Sequence, residues 1–156
     1  MSGAIHDTEV LDRLCPMHLL LSSTGFIRHA GPTIQKLRPQ SPLAGKLFLD
    51  TVTVKRPRTM RGMDDLRRAS GMKLHLAFRD APRTELKGLL VPLDDGRTIV
   101  NLSFGISIFD GVQDYALTNA DFAATDLAIE MLYLMEAKSA AMEASRRLNL
   151  RLEEAR

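Results

Sequence analysis

The stretch Thr84–Gly105, TELKGLLVPLDDGRTIVNLSFG, decides how this chain folds. Two runs rich in apolar residues, Thr84–Leu93 and Arg97–Gly105, flank Asp94-Asp95-Gly96. Asp-Gly between such runs is the turn chemistry of a β-hairpin, because glycine accepts positive φ without a Cβ clash. Just upstream, in MKLHLAFRD (Met72–Asp80), Leu74, Leu76 and Phe78 alternate with Lys73, His75 and Ala77. That is the period-two pattern of a half-buried strand, with His75 and Ala77 on the polar face. Three successive antiparallel strands follow.

A second hairpin opens the chain. MHLLLSS (Met17–Ser23) and FIRHAG (Phe26–Gly31) read as two strands around a turn at Thr24-Gly25. Gly31-Pro32 stops the second strand, and PTIQKL (Pro32–Leu37) continues as a helical turn or two, since proline is tolerated at a helix start. Pro39, Pro42, Gly45 and Pro57 break the middle into short pieces. There, LFLDTVTV (Leu47–Val54) is either extended or a single helical turn ending in a strand. MDDLRRAS (Met63–Ser70) is a short helix that Gly71 stops. Residues 1–14 form a polar lead-in, with a short helix around Asp7–Leu14.

The C-terminal stretch differs in character. Asn119 or Asp121 is placed to cap a helix from about Phe122, and no Gly or Pro occurs after that point. A spacing of four and three selects Leu127, Met131, Leu134, Lys138, Ala141, Ser145, Leu148, Leu152 and Ala155, a heptad seam weakened at Lys138, Ala141 and Ser145. Phe122, Leu127 and Met131 are expected to pack inward on the domain. Beyond Glu136 the helix is expected to project, and Met142, Leu148 and Leu152 then need a partner. A parallel coiled coil with a second copy supplies one, its interface drawn from Leu127, Met131, Leu134, Ala141, Leu148 and Leu152.

A chain of 156 residues with 45% hydrophobic and 26% charged residues suits one globular domain. No apolar run approaches the ~20 residues of a membrane span. The acidic start, with Asp7, Glu9 and Asp12, is unlike a signal peptide, and a single cysteine fits a reducing compartment. The expected localisation is therefore cytoplasmic, without membrane contact. Residues 28–97 hold fifteen Lys/Arg against seven Asp/Glu, whereas residues 100–156 hold five against nine. The cluster KRPRTMRG, with Lys55, Arg56, Arg58 and Arg61, is read as a solvated loop rather than a phosphate-binding patch. Aromatics are only 5% of the chain and no nucleic-acid motif accompanies the cluster, so no nucleic-acid partner is expected.

Two N-terminal strands, short helices and three C-terminal strands make an α+β chain of PAS architecture. The expected form is a five-stranded antiparallel sheet with short helices on one face and a long C-terminal helix. The lead-in is 1–14, the PAS-like domain 15–120 and the helix 121–156. Four stretches carry a closer likeness: CPMHLLLSSTGFIRHAGPTIQKL (Cys15–Leu37), GKLFLDTVTVKRP (Gly45–Pro57), ELKGLLVPLDDGRTIVNLSFGIS (Glu85–Ser107) and YALTNADFAATDLAIEMLYLMEAK (Tyr115–Lys138). Over Cys15–Met142 the chain resembles the H-NOX-associated (haem-NO-binding-associated) PAS-like domain of soluble guanylate cyclases. Leu86-Lys87-Gly88 and Ala124-Thr125-x-Leu127 are the most specific matches. Phe122-Ala123 stands where that family has His-Asp; if those polar residues couple sheet to helix in the family, the coupling here must be built differently.

The resemblance implies a non-catalytic signalling module that dimerises and relays a signal through a coiled coil. Its partners would be a second copy, an upstream haem-NO-binding sensor and a downstream guanylate or diguanylate cyclase. Direct sensing of haem, flavin or a small metabolite in the core is the alternative.

The residues that tempt a catalytic reading are few. His18 shares a strand face with Leu20, and His29 shares one with Ile27; an inward histidine can ligate haem. Neither lies on a mid-fold helix, so both are expected to be half-buried and hydrogen-bonded, with no cofactor. Cys15 lacks an activating environment. Asp94-Asp95 belongs to a turn and Asp64-Asp65 to a helix start, where acids suit the dipole. With no phosphate loop, zinc-protease or nucleophile-elbow motif, no enzyme is expected in this segment.

Overall fold

A computed structural model describes residues 2–58, 60–105 and 108–154. The chain divides into two compact units, Met1–Ala124 and Thr125–Arg156. The first runs α1 (Ser2–Leu14), β1 (His18–Leu21), β2 (Ile27–Ala30), α2 (Pro32–Lys36), α3 (Phe48–Thr51), β3 (Val52–Arg56) and α4 (Met63–Arg68). It continues with β4 (Leu74–Phe78), β5 (Glu85–Pro92), β6 (Thr98–Ser103), α5 (Ile108–Tyr115) and a 3-10 turn at Asn119–Asp121. The second unit holds α6 (Ala128–Glu154).

Among the described residues the strands form one antiparallel sheet in the order β2-β1-β6-β5-β4-β3. The β5–β6 hairpin forms as its sequence dictates, with Leu90 opposite Val100 and Pro92 opposite Thr98. The Leu93 amide donates to the Arg97 carbonyl at 2.7 Å, and Gly96 sits at φ 89° in the turn. The N-terminal hairpin turns at Gly25 (φ 92°), and β1 pairs β2 on one side and β6 on the other. Alternation then sorts side chains to two faces. Leu19, Leu21, Leu76, Leu86, Leu90, Val100 and Leu102 are buried on one, together with Ile34, Leu37, Phe48 and Leu66 from the short helices. The other carries His18, Leu20, Leu89, Val91, Ile99 and Asn101.

Four expectations change. The sheet has six strands, not five, because Leu47–Val54 takes the second of its two readings. Thr51 Oγ1 donates to the Leu47 carbonyl at 2.9 Å, closing one helical turn, and β-branched Val52 and Val54 then pair β4 opposite Phe78 and Leu76. With β3 on the edge, β4 is interior, so Ala77 lies between Thr53 and Glu85 and is buried rather than exposed on a polar face. His75, for the same reason, is half-buried. The C-terminal helix begins at Ala128, not Phe122. Asp121 turns its carboxylate back to the Thr118 amide, 2.8 Å away, and so caps nothing downstream. Finally, α5 had no expected counterpart; its Gly111 lets the helix lie directly against Phe104, which in turn meets Phe122 edge-on at 6.3 Å.

Candidate functional site

The linker Cys15-Pro16-Met17 and the start of α2 build the surroundings of His18. The Pro16 carbonyl accepts from the amides of Thr33 (3.0 Å) and Ile34 (3.3 Å), and the Gly31 amide donates to the His18 carbonyl at 2.8 Å. These bonds hold the entry to β1 against the exit of β2. They seat His18 with no solvent exposure beside His29, the two rings stacked with centroids 5.3 Å apart at 30°. Asp12 reaches the pair from α1. Its Oδ1 lies 2.7 Å from His29 Nε2 and 3.9 Å from His18 Nδ1. His18 Nδ1 is also 2.8 Å from the Cys15 carbonyl, whereas its Nε2, equally buried, has no hydrogen-bond partner among the described residues.

His18 is therefore wholly buried rather than half-buried, and only one of its ring nitrogens is satisfied. Burial holds its imidazole below the usual histidine range, partly offset by the Cys15 carbonyl, so it is neutral at physiological pH. Neither histidine is on the face that buries Leu19, Leu21 and Val100, so neither faces a ligand held in that core. Asp12 had no signal in the sequence beyond its spacing of six residues from His18. Cys15 is half-buried, and burial raises its thiol above the usual range, opposite to what a nucleophile needs.

Two further polar centres tie elements together. Thr33 Oγ1 donates to the Asp121 carbonyl, and Lys36 Nζ pairs with the Asp121 carboxylate. Burial alone would raise the Asp121 carboxyl, but the Lys36 and Thr118 bonds hold it below the usual range. This joint fixes the 3-10 turn to α2. Arg38, just past α2, donates to the carbonyls of Leu37 (2.6 Å), Asp80 (3.2 Å) and Pro82 (2.8 Å). It also forks onto the Asp80 carboxylate and lies 4.0 Å over the Phe78 ring.

The remaining candidates are structural or solvated. Asp64 and Asp65 pair with Arg67 and Arg68 along α4, and Asp95 pairs with Arg97 at 2.7 Å. Lys55 and Arg56 belong to the edge strand β3, not to a loop, and Lys55 is neutralised by Glu85 at 2.6 Å. On the second unit, Leu134, Ala141, Leu148 and Leu152 lie on one 27-residue helix about 40 Å long and are all exposed. Leu127, expected to pack inward, precedes the helix and is 72% exposed. The side chain of Met131, and Ala155 entirely, lie outside the described residues. Tyr133 and Leu150 are exposed off the seam. No helix among the described residues is long and apolar enough to cross a membrane. No known family model matches this chain, and no curated protein matches it.

Proposed function

We propose that this chain is a PAS-like signalling and dimerisation module, of the kind associated with haem-NO-binding sensors, which acts without catalysing a reaction. In this reading it is cytoplasmic, pairs with a second copy through α6 and passes a signal to a cyclase-type output. The observation that carries it is the exposed heptad seam of α6. Leu134, Leu148 and Leu152 are 70%, 59% and 58% exposed on a helix that follows a complete sheet domain. Large apolar side chains repeating every three to four residues on an exposed helix are stabilised when a second helix covers them. The sheet supports the reading too: the N-terminal hairpin closes onto the last of three C-terminal strands, with β3 added outside. Direct ligand sensing in the core has less support, since Ile34, Phe48, Leu66 and Leu90, all at 0% exposure, occupy it.

In a parallel, in-register coil, equivalent seam positions face each other. In a Cys15→Ser background, Leu134→Cys and Leu148→Cys should each give a covalent dimer under mild oxidation. Tyr133→Cys, one residue off the seam, should give at least tenfold less. Equal yields at all three positions would contradict a specific seam.

A further inference from the structure

We propose that Asp12, His18 and His29 form a binding site for a divalent transition metal of the zinc class, which pins α1 to the first two strands. The three residues come from three elements, and their donor atoms all lie within 4.8 Å of one another. Two imidazoles and one carboxylate select zinc, cobalt or nickel over magnesium or calcium, which prefer all-oxygen shells. Donors about 2.0–2.1 Å from a tetrahedral ion stand roughly 3.3 Å apart. From Asp12 Oδ1 it is 2.7 Å to His29 Nε2 and 3.9 Å to Nδ1 of the His18 ring. Closing the cluster on an ion requires the two stacked rings to turn so that one nitrogen of each points at it.

A second observation points to a ligand independently. His18 is fully buried yet keeps one ring nitrogen without a partner. Buried polar atoms are nearly always satisfied, and an orphan needs an explanation. An ion held by Nε2 would provide one, because that nitrogen would become a ligand while Nδ1 keeps the Cys15 carbonyl as its partner. Coordination through Nδ1 would instead leave Nε2 unpaired and free the Cys15 carbonyl, so the orphan favours Nε2 as the ligand atom. Asp12 and His29 each keep a third of their side-chain surface exposed, which provides an entry path and room for a water as fourth ligand. The ion would join residues 12, 18 and 29, so docking of the N-terminal helix would become metal-dependent. This inference stands apart from the relay reading, because α6 takes no part in it.

The test uses the full, untagged chain, stripped with chelator and titrated with Co²⁺. The expected result is one equivalent of bound Co²⁺ with the visible absorption of a low-symmetry four-coordinate site, abolished by stoichiometric Zn²⁺. Asp12→Asn and His29→Gln, both partly exposed positions, should fold and weaken binding at least tenfold. His75→Ala, remote in the sheet, should leave it unchanged. A folded wild-type chain showing neither the absorption nor a Zn²⁺-dependent rise in melting temperature overturns the proposal. So does binding that Asp12→Asn and His29→Gln leave intact.

Discussion

Gly31→Ala is expected to destabilise the first unit by about 3 kcal/mol, at the upper end of what one inserted methyl costs. The backbone there, φ −60° and ψ 159°, suits any residue, so torsion raises no objection. The obstacle is space. A Cβ on Gly31 would lie 2.4 Å from the Pro16 carbonyl oxygen and 3.1 Å from His18 Nδ1. The first neighbour is backbone, held by the Thr33 and Ile34 amides, and cannot rotate aside as a side chain would. Relieving the clash means parting β1 from the start of α2, which breaks the bond from the Gly31 amide to the His18 carbonyl as well. Urea unfolding should show a lower midpoint with an unchanged slope. Gly62→Ala is the matched control, because nothing lies within 4 Å of a Cβ there, and it should stay within about 0.5 kcal/mol.

Arg38→Ala should cost a comparable amount, about 3 kcal/mol, by a different route. The Arg38 side chain is only 10% exposed, and it satisfies three carbonyls from two loops while covering the Phe78 ring. Its ion pair with Asp80 contributes little of this, since Asp80 is two-thirds exposed and screened. The sign of that small part can still be read. Arg38 holds the Asp80 carboxyl below its usual range, so the pair adds stability above the ordinary carboxylate pKa and loses it as pH falls through the depressed one. Arg38→Ala should therefore flatten the acid side of the stability curve while lowering all of it. Arg38→Lys should recover less than half the loss, because an ammonium cannot fork onto Asp80 and the carbonyls together. If Arg38→Ala unfolds at the wild-type urea midpoint, the residue is not the staple described.

The hairpins were legible in the sequence because their turns are local. Gly25 and Gly96 mark positive φ, and the period-two runs on either side fix which face is buried. The edge strand β3 was half legible: Val52 and Val54 favour extension, but four residues of helix precede them and Pro57 follows at once. What stayed hidden was long-range. Nothing local to Asp12 announces that a residue seventeen positions away, His29, will close on it, or that His18 will be buried without exposure. Asp121, with Asn119, carries the residue chemistry of a cap, but its carboxylate reaches back to Thr118 rather than forward. Whether a carboxylate reaches forward or back depends on Lys36, 85 residues earlier in the chain. The α6 seam was legible as a pattern on which Leu134, Leu148 and Leu152 are exposed, whereas the helix start at Ala128 had no local signal.

The claim that matters most is that α6 is a partner surface. Its most direct test is the solution mass by light scattering of the full chain and of a chain ending at Glu136. That truncation removes Ala141, Leu148 and Leu152 but leaves the whole of the sheet unit. The account expects a dimer for the full chain and a monomer for the truncated one at the same concentration. A monomeric full chain, or a truncated chain that still dimerises, would contradict it.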